Sequence, residues 1–339
     1  MSRKLAVMFV HGVEIDDSQF AATASRRLGE AFARHAGADP EDVLAIRPAY
    51  WAPLLQERQD ELLRRLGGGR LAGYFDRLSN WGGGASGGGS LDLLKLAASG
   101  LMRRMPRVPG FHYPTLRWVA VHYLGDAVAY QVNTGERELY DQVHAVLART
   151  LGELADEAGD DAPLCVIAHS LGTVVASNFF YDLQVRHGRK GSPARPLVKA
   201  ETAAALRDTP LGRGETLTHL YTMGSPLALW SGRLSTFGDP LLVPDPASAG
   251  HHPQLVGAGE WVNIHDPDDV VSWPLKPLNS AYDKAVTEDR EVSITPWWLG
   301  WTPLVHPGYW NDAQVMEPIG KSLAQAWKSL SAEEARADA

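Results

Sequence analysis

Residues 165–173 read CVIAHSLGT, an apolar run that ends at a serine and leads into a helix-forming segment. This pattern predicts a buried strand, a tight turn and a helix. Strand and helix pass close together at such a turn, so the positions two before and two after the serine must be small, and they are Ala168 and Gly172. The turn would lift the Ser170 hydroxyl out of the sheet and point a helix N-terminus at it, which suits a nucleophile. A serine that only caps the helix is the structural alternative.

Length and composition limit the kind of protein. The chain has 339 residues, of which 45% are hydrophobic, so it can bury a large core. Its net charge of -8 argues against a nucleic-acid partner. The one cysteine, Cys165, cannot form an internal disulfide. The apolar run at 5–10 is too short for a secretory signal, and no run approaches the roughly 18 apolar residues of a transmembrane helix, so we expect a cytoplasmic protein.

Apolar strands alternate with helical segments along the chain. Strands are predicted at residues 5–10, 43–50, 164–168, 217–223 and 261–264. Helices are predicted at residues 18–35, 54–66, 91–107, 116–131, 135–157, 171–186 and 318–335, and a long loop at 231–258. The alternation predicts an α/β fold with a mostly parallel central sheet that is covered by helices on both faces.

One segment interrupts this alternation. Residues 82–89 read GGGASGGG, a low-complexity run typical of a flexible connection. We interpret residues 51–115 as a helical insertion in a single domain that covers 1–339, because strands of the sheet are predicted on both sides of it. The helix at 91–107 is amphipathic with a basic end, which would suit a mobile lid or a transient contact with a membrane or lipid surface. A helix docked permanently on the body is the alternative.

A serine nucleophile needs a base that takes its proton and an acid that orients the base. In folds with this kind of turn, the chain order is nucleophile, acid, histidine. The strand at 261–264 is followed by a cluster of aspartates, and one histidine lies beyond them, His306. We therefore predict that His306 is the base for Ser170. An ordinary loop histidine beside prolines is the alternative.

The acid is chosen from three aspartates, Asp266, Asp268 and Asp269. Asp269 is preferred because the apolar pair Val270-Val271 follows it and could anchor its loop beneath the histidine. Asp266 precedes a proline and could instead cap the turn. Asp266 and then Asp268 remain the alternatives.

The negative oxygen that develops during attack on a carbonyl needs hydrogen-bond donors. The backbone N–H of Leu171, directly after the serine, is one candidate. The backbone N–H of Val13 is the second, because Gly12 lets the loop after the first strand approach closely. We expect His11 to keep this loop in shape.

Metal chemistry is not indicated. The aspartates beside His265 and the pair His251-His252 lack the spacing of familiar metal ligands. We therefore predict no metal ion.

Tryptophans gather near the predicted base. The four that flank His306 most closely are Trp297, Trp298, Trp301 and Trp310. Aromatic walls beside the base would bind an apolar acyl or aromatic group of a substrate. Packing in the core is the alternative.

These motifs resemble the α/β-hydrolase superfamily. The resemblance rests on the strand that ends at His11-Gly12, the AHSLG turn at 168–172, and the ordered Asp269 and His306. It covers residues 5 to about 330 apart from the insertion, and the alanine at the first position of AHSLG departs from the glycine that is usual there. The resemblance implies a Ser-Asp-His hydrolase that needs no cofactor.

Two further phrases are similar to those of bacterial serine-esterase or lipase-like members: YTMGSPL at 221–227 and HPGYW at 306–310. We therefore expect hydrolysis of a small-molecule carboxylic ester, with a lipophilic acyl or aromatic part, through an acyl-enzyme. A thioesterase, lactonase or acyltransferase with the same residues is an alternative, and so is a catalytically silent relative that binds lipid or a partner protein. The resemblance specifies neither the natural substrate nor the oligomeric state.

Overall fold

Parallel strands form the centre of the molecule. The computed structural model describes residues 4–12, 19–54, 130, 138–186, 198–294 and 306–337. Within these ranges, one six-stranded sheet has the order β2-β1-β3-β4-β5-β6, and every neighbouring pair is parallel. The strands are β1 (Leu5–Val10), β2 (Leu44–Ala49), β3 (Leu164–His169), β4 (Leu217–Met223), β5 (Glu260–His265) and β6 (Glu288–Glu291).

Both faces of the sheet are buried. Every residue of β1, β3 and β4 is buried, which explains why β1 and β3 are almost continuous apolar runs rather than alternating ones. Strand β4 also buries three polar residues, Thr218, His219 and Thr222. In β1 the side chains alternate between two core clusters, with Ala6, Met8 and Val10 on one face and Leu5, Val7 and Phe9 on the other. The sheet is therefore the middle layer of three.

Four long helices supply the outer layers: α1 (Ala22–Ala36), α2 (Glu138–Ala158), α3 (Leu171–Arg186) and α4 (Ala313–Ala337). Helices α1 and α4 belong to one core cluster and α2 and α3 to the other. A Cβ on Gly320 of α4 would lie 2.5 Å from the Cβ of Ala31, so a glycine there lets α1 and α4 approach closely.

Shorter helices complete the described chain. They are the α-helices Pro40–Val43, Ala200–Ala205, Leu227–Ser231, Ser248–His251 and Ser280–Ala285, and the 3₁₀-helices Pro253–Leu255, Lys276–Leu278 and His306–Asn311. In the ranges given above, no helix combines the length and the apolar character needed to cross a membrane.

The predicted α/β fold with a parallel sheet covered on both faces is confirmed. Several details differ from the prediction. Strand β6 and the helix Ser280–Ala285 were not predicted, and the predicted loop at 231–258 contains short helices. Helix α1 begins at 22 rather than 18, and α4 begins at 313 rather than 318. The predictions at 82–89 and 91–107, and almost all of those at 54–66 and 116–131, lie outside the described residues. The insertion at 51–115 is described only as far as residue 54 and stays a prediction.

The strand order creates a crevice between β1 and β3. From β1 the chain continues to β2 on one side, whereas β3 lies on the other side of β1 and leads on to β4 and β5. At such a switch point the connections leave in opposite directions, and ligands of parallel α/β sheets bind at the carboxyl ends of the strands there. Gly12 follows β1 and Ser170 follows β3 at this edge.

Candidate active site

Ser170 occupies the turn between β3 and α3 with a backbone φ of 54°. This left-handed conformation is unfavourable for a residue other than glycine. Three hydrogen bonds hold the turn. The Ser170 N–H donates to the Met223 carbonyl (3.0 Å), and the Ser170 carbonyl accepts from the N–H (2.9 Å) and the hydroxyl (2.7 Å) of Thr173. The surrounding structure thus imposes the conformation that places the serine hydroxyl beyond the carboxyl end of β3.

Two glycines let the backbone crowd around this turn. A Cβ on Gly172 would collide with the carbonyl oxygens of Val10 and His11, where β1 ends beside the start of α3. A Cβ on Gly12 would lie 2.5 Å from Ser170 Cβ and 2.9 Å from its Oγ. The loop after β1 therefore passes directly beside the serine hydroxyl.

The structure brings together the predicted nucleophile, base and acid, which are Ser170, His306 and Asp269. The distance from Ser170 Oγ to His306 Nε2 is 2.7 Å, and that from His306 Nδ1 to Asp269 Oδ2 is 2.8 Å. A carboxylate accepts, so Nδ1 carries the ring proton, and Nε2 is left to accept from the serine hydroxyl. The exposed fractions of the three residues are 4%, 6% and 4%, so little water competes for these hydrogen bonds.

Two further donors hold Asp269. The N–H of Val271 donates to Oδ1 (3.2 Å), and the hydroxyl of Tyr309 donates to Oδ2 (3.1 Å). Burial alone would raise the pKa of Asp269, but the hydrogen bond from His306, the charge of that ring when it is protonated, and the Val271 N–H lower the pKa below its ordinary value. Burial and the Asp269 charge raise the pKa of Tyr309, so its hydroxyl keeps the proton that it donates.

Asp269 was preferred because Val270 and Val271 were expected to anchor its loop beneath the histidine. For Val270 this expectation is wrong. Val270 is 80% exposed and anchors nothing beneath the histidine. Asp266 has a different function in the loop, because its carboxylate accepts from the N–H groups of Asp268 (2.9 Å) and Ile294 (2.7 Å). Asp268 is exposed.

Of the two predicted oxyanion donors, one is described. Leu171 is the first residue of α3, where N–H groups have no partner inside the helix. Val13 lies outside the described residues, but its neighbour Gly12 contacts Ser170. His11 holds this loop, since its Nδ1–H donates to the Gly12 carbonyl (2.6 Å) and its Nε2 accepts from the N–H of Trp51 (3.0 Å). Burial lowers the pKa of His11 to about 3, so the ring is neutral and can accept.

Of the four tryptophans, Trp310 is described. It lies in the core, with its ring centroid 5.6 Å from that of Phe9 and 5.8 Å from that of Phe20. Trp297, Trp298 and Trp301 lie outside the described residues.

Sequence reasoning missed His169 and Tyr309. His169 donates to the carbonyl of His306, and Tyr309 donates to Asp269. A signal for Tyr309 was present in its spacing, because side chains three residues apart eclipse each other in a 3₁₀-helix, and Tyr309 and His306 both reach Asp269 Oδ2. No pattern indicated the hydrogen bond of His169.

Tyr309→Phe is expected to lower both stability and turnover. The variant removes a donor to a buried carboxylate, so the free energy of unfolding should fall by about 1.5–3 kcal/mol, and kcat should fall as Asp269 becomes less well held. Urea denaturation and steady-state hydrolysis of an activated ester measure the two effects. Tyr221→Phe is the matched control, because the Tyr221 hydroxyl also donates to a carboxylate, that of Glu260. Glu260 begins β5, so this hydrogen bond is away from the carboxyl ends of the strands. It should lower stability alone, and an equal loss of kcat in both variants would contradict the assignment.

Among the described residues, no group of three or more His, Cys, Asp or Glu side chains could hold a metal ion. Comparison of the chain with protein-family models, with curated proteins and with solved structures finds no match in any of the three.

Proposed function

We propose that this chain is a serine hydrolase of the α/β-hydrolase superfamily that cleaves a carboxylic ester. One observation carries the proposal: hydrogen bonds of 2.7 and 2.8 Å link Ser170 through His306 to Asp269. This constellation performs acyl transfer on several unrelated folds. Its position after a strand–turn–helix at the switch point of a parallel sheet supports the superfamily assignment.

In the proposed acylation step, Ser170 Oγ attacks the ester carbonyl carbon while its proton moves to His306 Nε2. The N–H of Leu171, and a second donor from the loop after Gly12, for which we propose Val13, stabilise the resulting oxyanion. Asp269 holds the imidazole in the correct tautomer and stabilises the imidazolium. The intermediate collapses as His306 returns the proton to the departing alcohol, which leaves the acyl group on Ser170.

Deacylation repeats these steps with water. His306 Nε2 takes a proton from a water molecule that attacks the acyl carbonyl, and then protonates Ser170 Oγ as the carboxylic acid departs. The ester, the water, Ser170 and His306 account for every bond formed and broken, so the proposed reaction uses no cofactor. A silent binding relative would have no need of a base aligned on Ser170.

Exposed apolar side chains in the loop of Asp269 support a lipophilic substrate. Val270 and Trp273 follow Asp269 in the same loop, and their exposed fractions are 80% and 48%. The Trp273 indole N–H donates to the main-chain carbonyl of Val270 (3.2 Å), which ties the indole to the backbone of this loop. Exposed apolar side chains in the loop that carries the proposed acid favour apolar substrates.

A series of p-nitrophenyl esters tests the proposal. We expect turnover of the acetate, and kcat/KM for the octanoate at least about tenfold higher, because each buried methylene contributes up to about 0.8 kcal/mol. An octanoyl thioester run in parallel separates an esterase from a thioesterase. Absence of turnover of every ester by the folded protein would contradict the proposed function. Equal kcat/KM values for the acetate and the octanoate would contradict only the preference for a lipophilic substrate.

A further inference from the structure

A second histidine lies beside the nucleophile. His169 is the last residue of β3, directly before Ser170, and is 5% exposed. Its Nε2–H donates a hydrogen bond to the main-chain carbonyl oxygen of His306, with an N–O distance of 2.7 Å. The proposed reaction has no step for this side chain, although it contacts the base directly.

The His169 ring packs against the short helix that carries the base. Its centroid lies 4.8 Å from the ring of His306, 5.7 Å from that of Tyr309 and 5.3 Å from that of Trp310. On another side is Gly224, where a Cβ would lie 3.2 Å from both His169 Nε2 and His306 Cε1. Neighbours that hold the base therefore enclose the imidazole.

The hydrogen bond has a defined donor. A carbonyl oxygen only accepts, so Nε2 of His169 carries the ring proton. Burial lowers the pKa of His169 to about 3, and the charge of His306 acts in the same direction. The ring is thus neutral near pH 7, and no second positive charge lies beside the imidazolium that forms during the reaction.

We infer that His169 is a positioning residue that holds the backbone of His306 in register with Ser170, an inference that rests on the proposed function. His169 and Ser170 are consecutive, so the hydrogen bond ties the main chain of the base to the residue next to the nucleophile. A displacement of about 1 Å in a reacting group can lower turnover roughly 100-fold. The hydrogen bond thereby holds His169 and His306, which are 137 residues apart in sequence, at a fixed distance from each other.

Two variants separate the donor from the ring. His169→Phe keeps an aromatic ring without a donor, and His169→Gln keeps a donor without the ring. We expect kcat to fall roughly 10- to 100-fold in His169→Phe with KM within about threefold, and to recover at least partly in His169→Gln. His219→Phe is the matched control, because His219 is a buried histidine of β4 whose Nδ1 contacts the Thr218 hydroxyl (2.9 Å) and none of the residues of the site. It should keep the wild-type kcat.

A second readout needs no substrate. The proton shared by His306 Nδ1 and Asp269 should give a low-field ¹H NMR signal, identified by its absence from Asp269→Asn. The signal should move or broaden in His169→Phe and return towards its wild-type position in His169→Gln. If no ester is hydrolysed but the signal responds in this way, the proposed function fails and the positioning role stands.

The inference is overturned if folded His169→Phe keeps both the wild-type kcat and the wild-type signal. It is equally overturned if His169→Gln recovers neither, because packing of the ring would then account for the loss. If His169→Phe does not fold, His169→Ala gives the same comparison with His169→Gln.

Discussion

Replacing Ser170 with alanine is expected to lower kcat for ester hydrolysis by about 10⁴- to 10⁶-fold. The substitution removes the atom that would form the proposed acyl-enzyme and leaves His306 and the proposed oxyanion donors in place. Residual hydrolysis should come from a water molecule bound where the hydroxyl was. Steady-state turnover measures the loss, and a fluorophosphonate probe, which labels activated serines, should modify the wild type and not the variant.

Ser177→Ala is the control for this substitution. Ser177 is a buried serine of α3, the helix that follows Ser170, and lies seven residues further along the chain. Its variant should keep wild-type turnover and labelling. A Ser170→Ala protein that is still labelled, or that keeps more than about 1% of the activity, would place the nucleophile elsewhere.

Asp269→Asn should lower kcat by about 10⁴-fold with little change in the fold. The amide can present an N–H to His306 Nδ1, which would stabilise the tautomer that has its proton on Nε2. A ring in that state cannot accept the proton of Ser170. Turnover measured from pH 6 to 9 checks this expectation.

Asp268→Asn is the matched control, one residue away and exposed. Its turnover should stay within about twofold of the wild type, as for most surface substitutions. Equal losses in both variants would mean that the negative charge of the loop matters rather than the hydrogen bond to His306.

The sheet could be predicted where burial dictates the pattern. Strands β1 and β3 are buried on both faces, so their apolar runs mark them within about a residue. Strand β6 reads Glu-Asp-Arg-Glu and joins the sheet edge through its backbone. The Asp289 carboxylate in it accepts from the N–H groups of Leu275 and Lys276, a tertiary arrangement that no periodicity reveals. The order of the strands likewise depends on packing of the whole chain.

The site could be predicted where chain order constrains it. The order of nucleophile, acid and histidine selected His306 without any geometry. Asp269 was chosen for a packing reason that its exposed neighbour Val270 does not support. The donors that hold the acid and the base, Tyr309 and His169, depend on hydrogen bonds between distant segments, which sequence spacing indicates only in part.

The positive φ of Ser170 lowers the stability of the fold at the residue that is proposed to carry out the reaction. A non-glycine residue in this conformation costs of order 1–3 kcal/mol, a substantial part of the net stability of an ordinary domain. Glycine would relieve the penalty and delete the proposed nucleophile. Selection for thermostability alone would therefore favour loss of the serine hydroxyl, and we expect the serine to be kept only where its proposed chemistry is required.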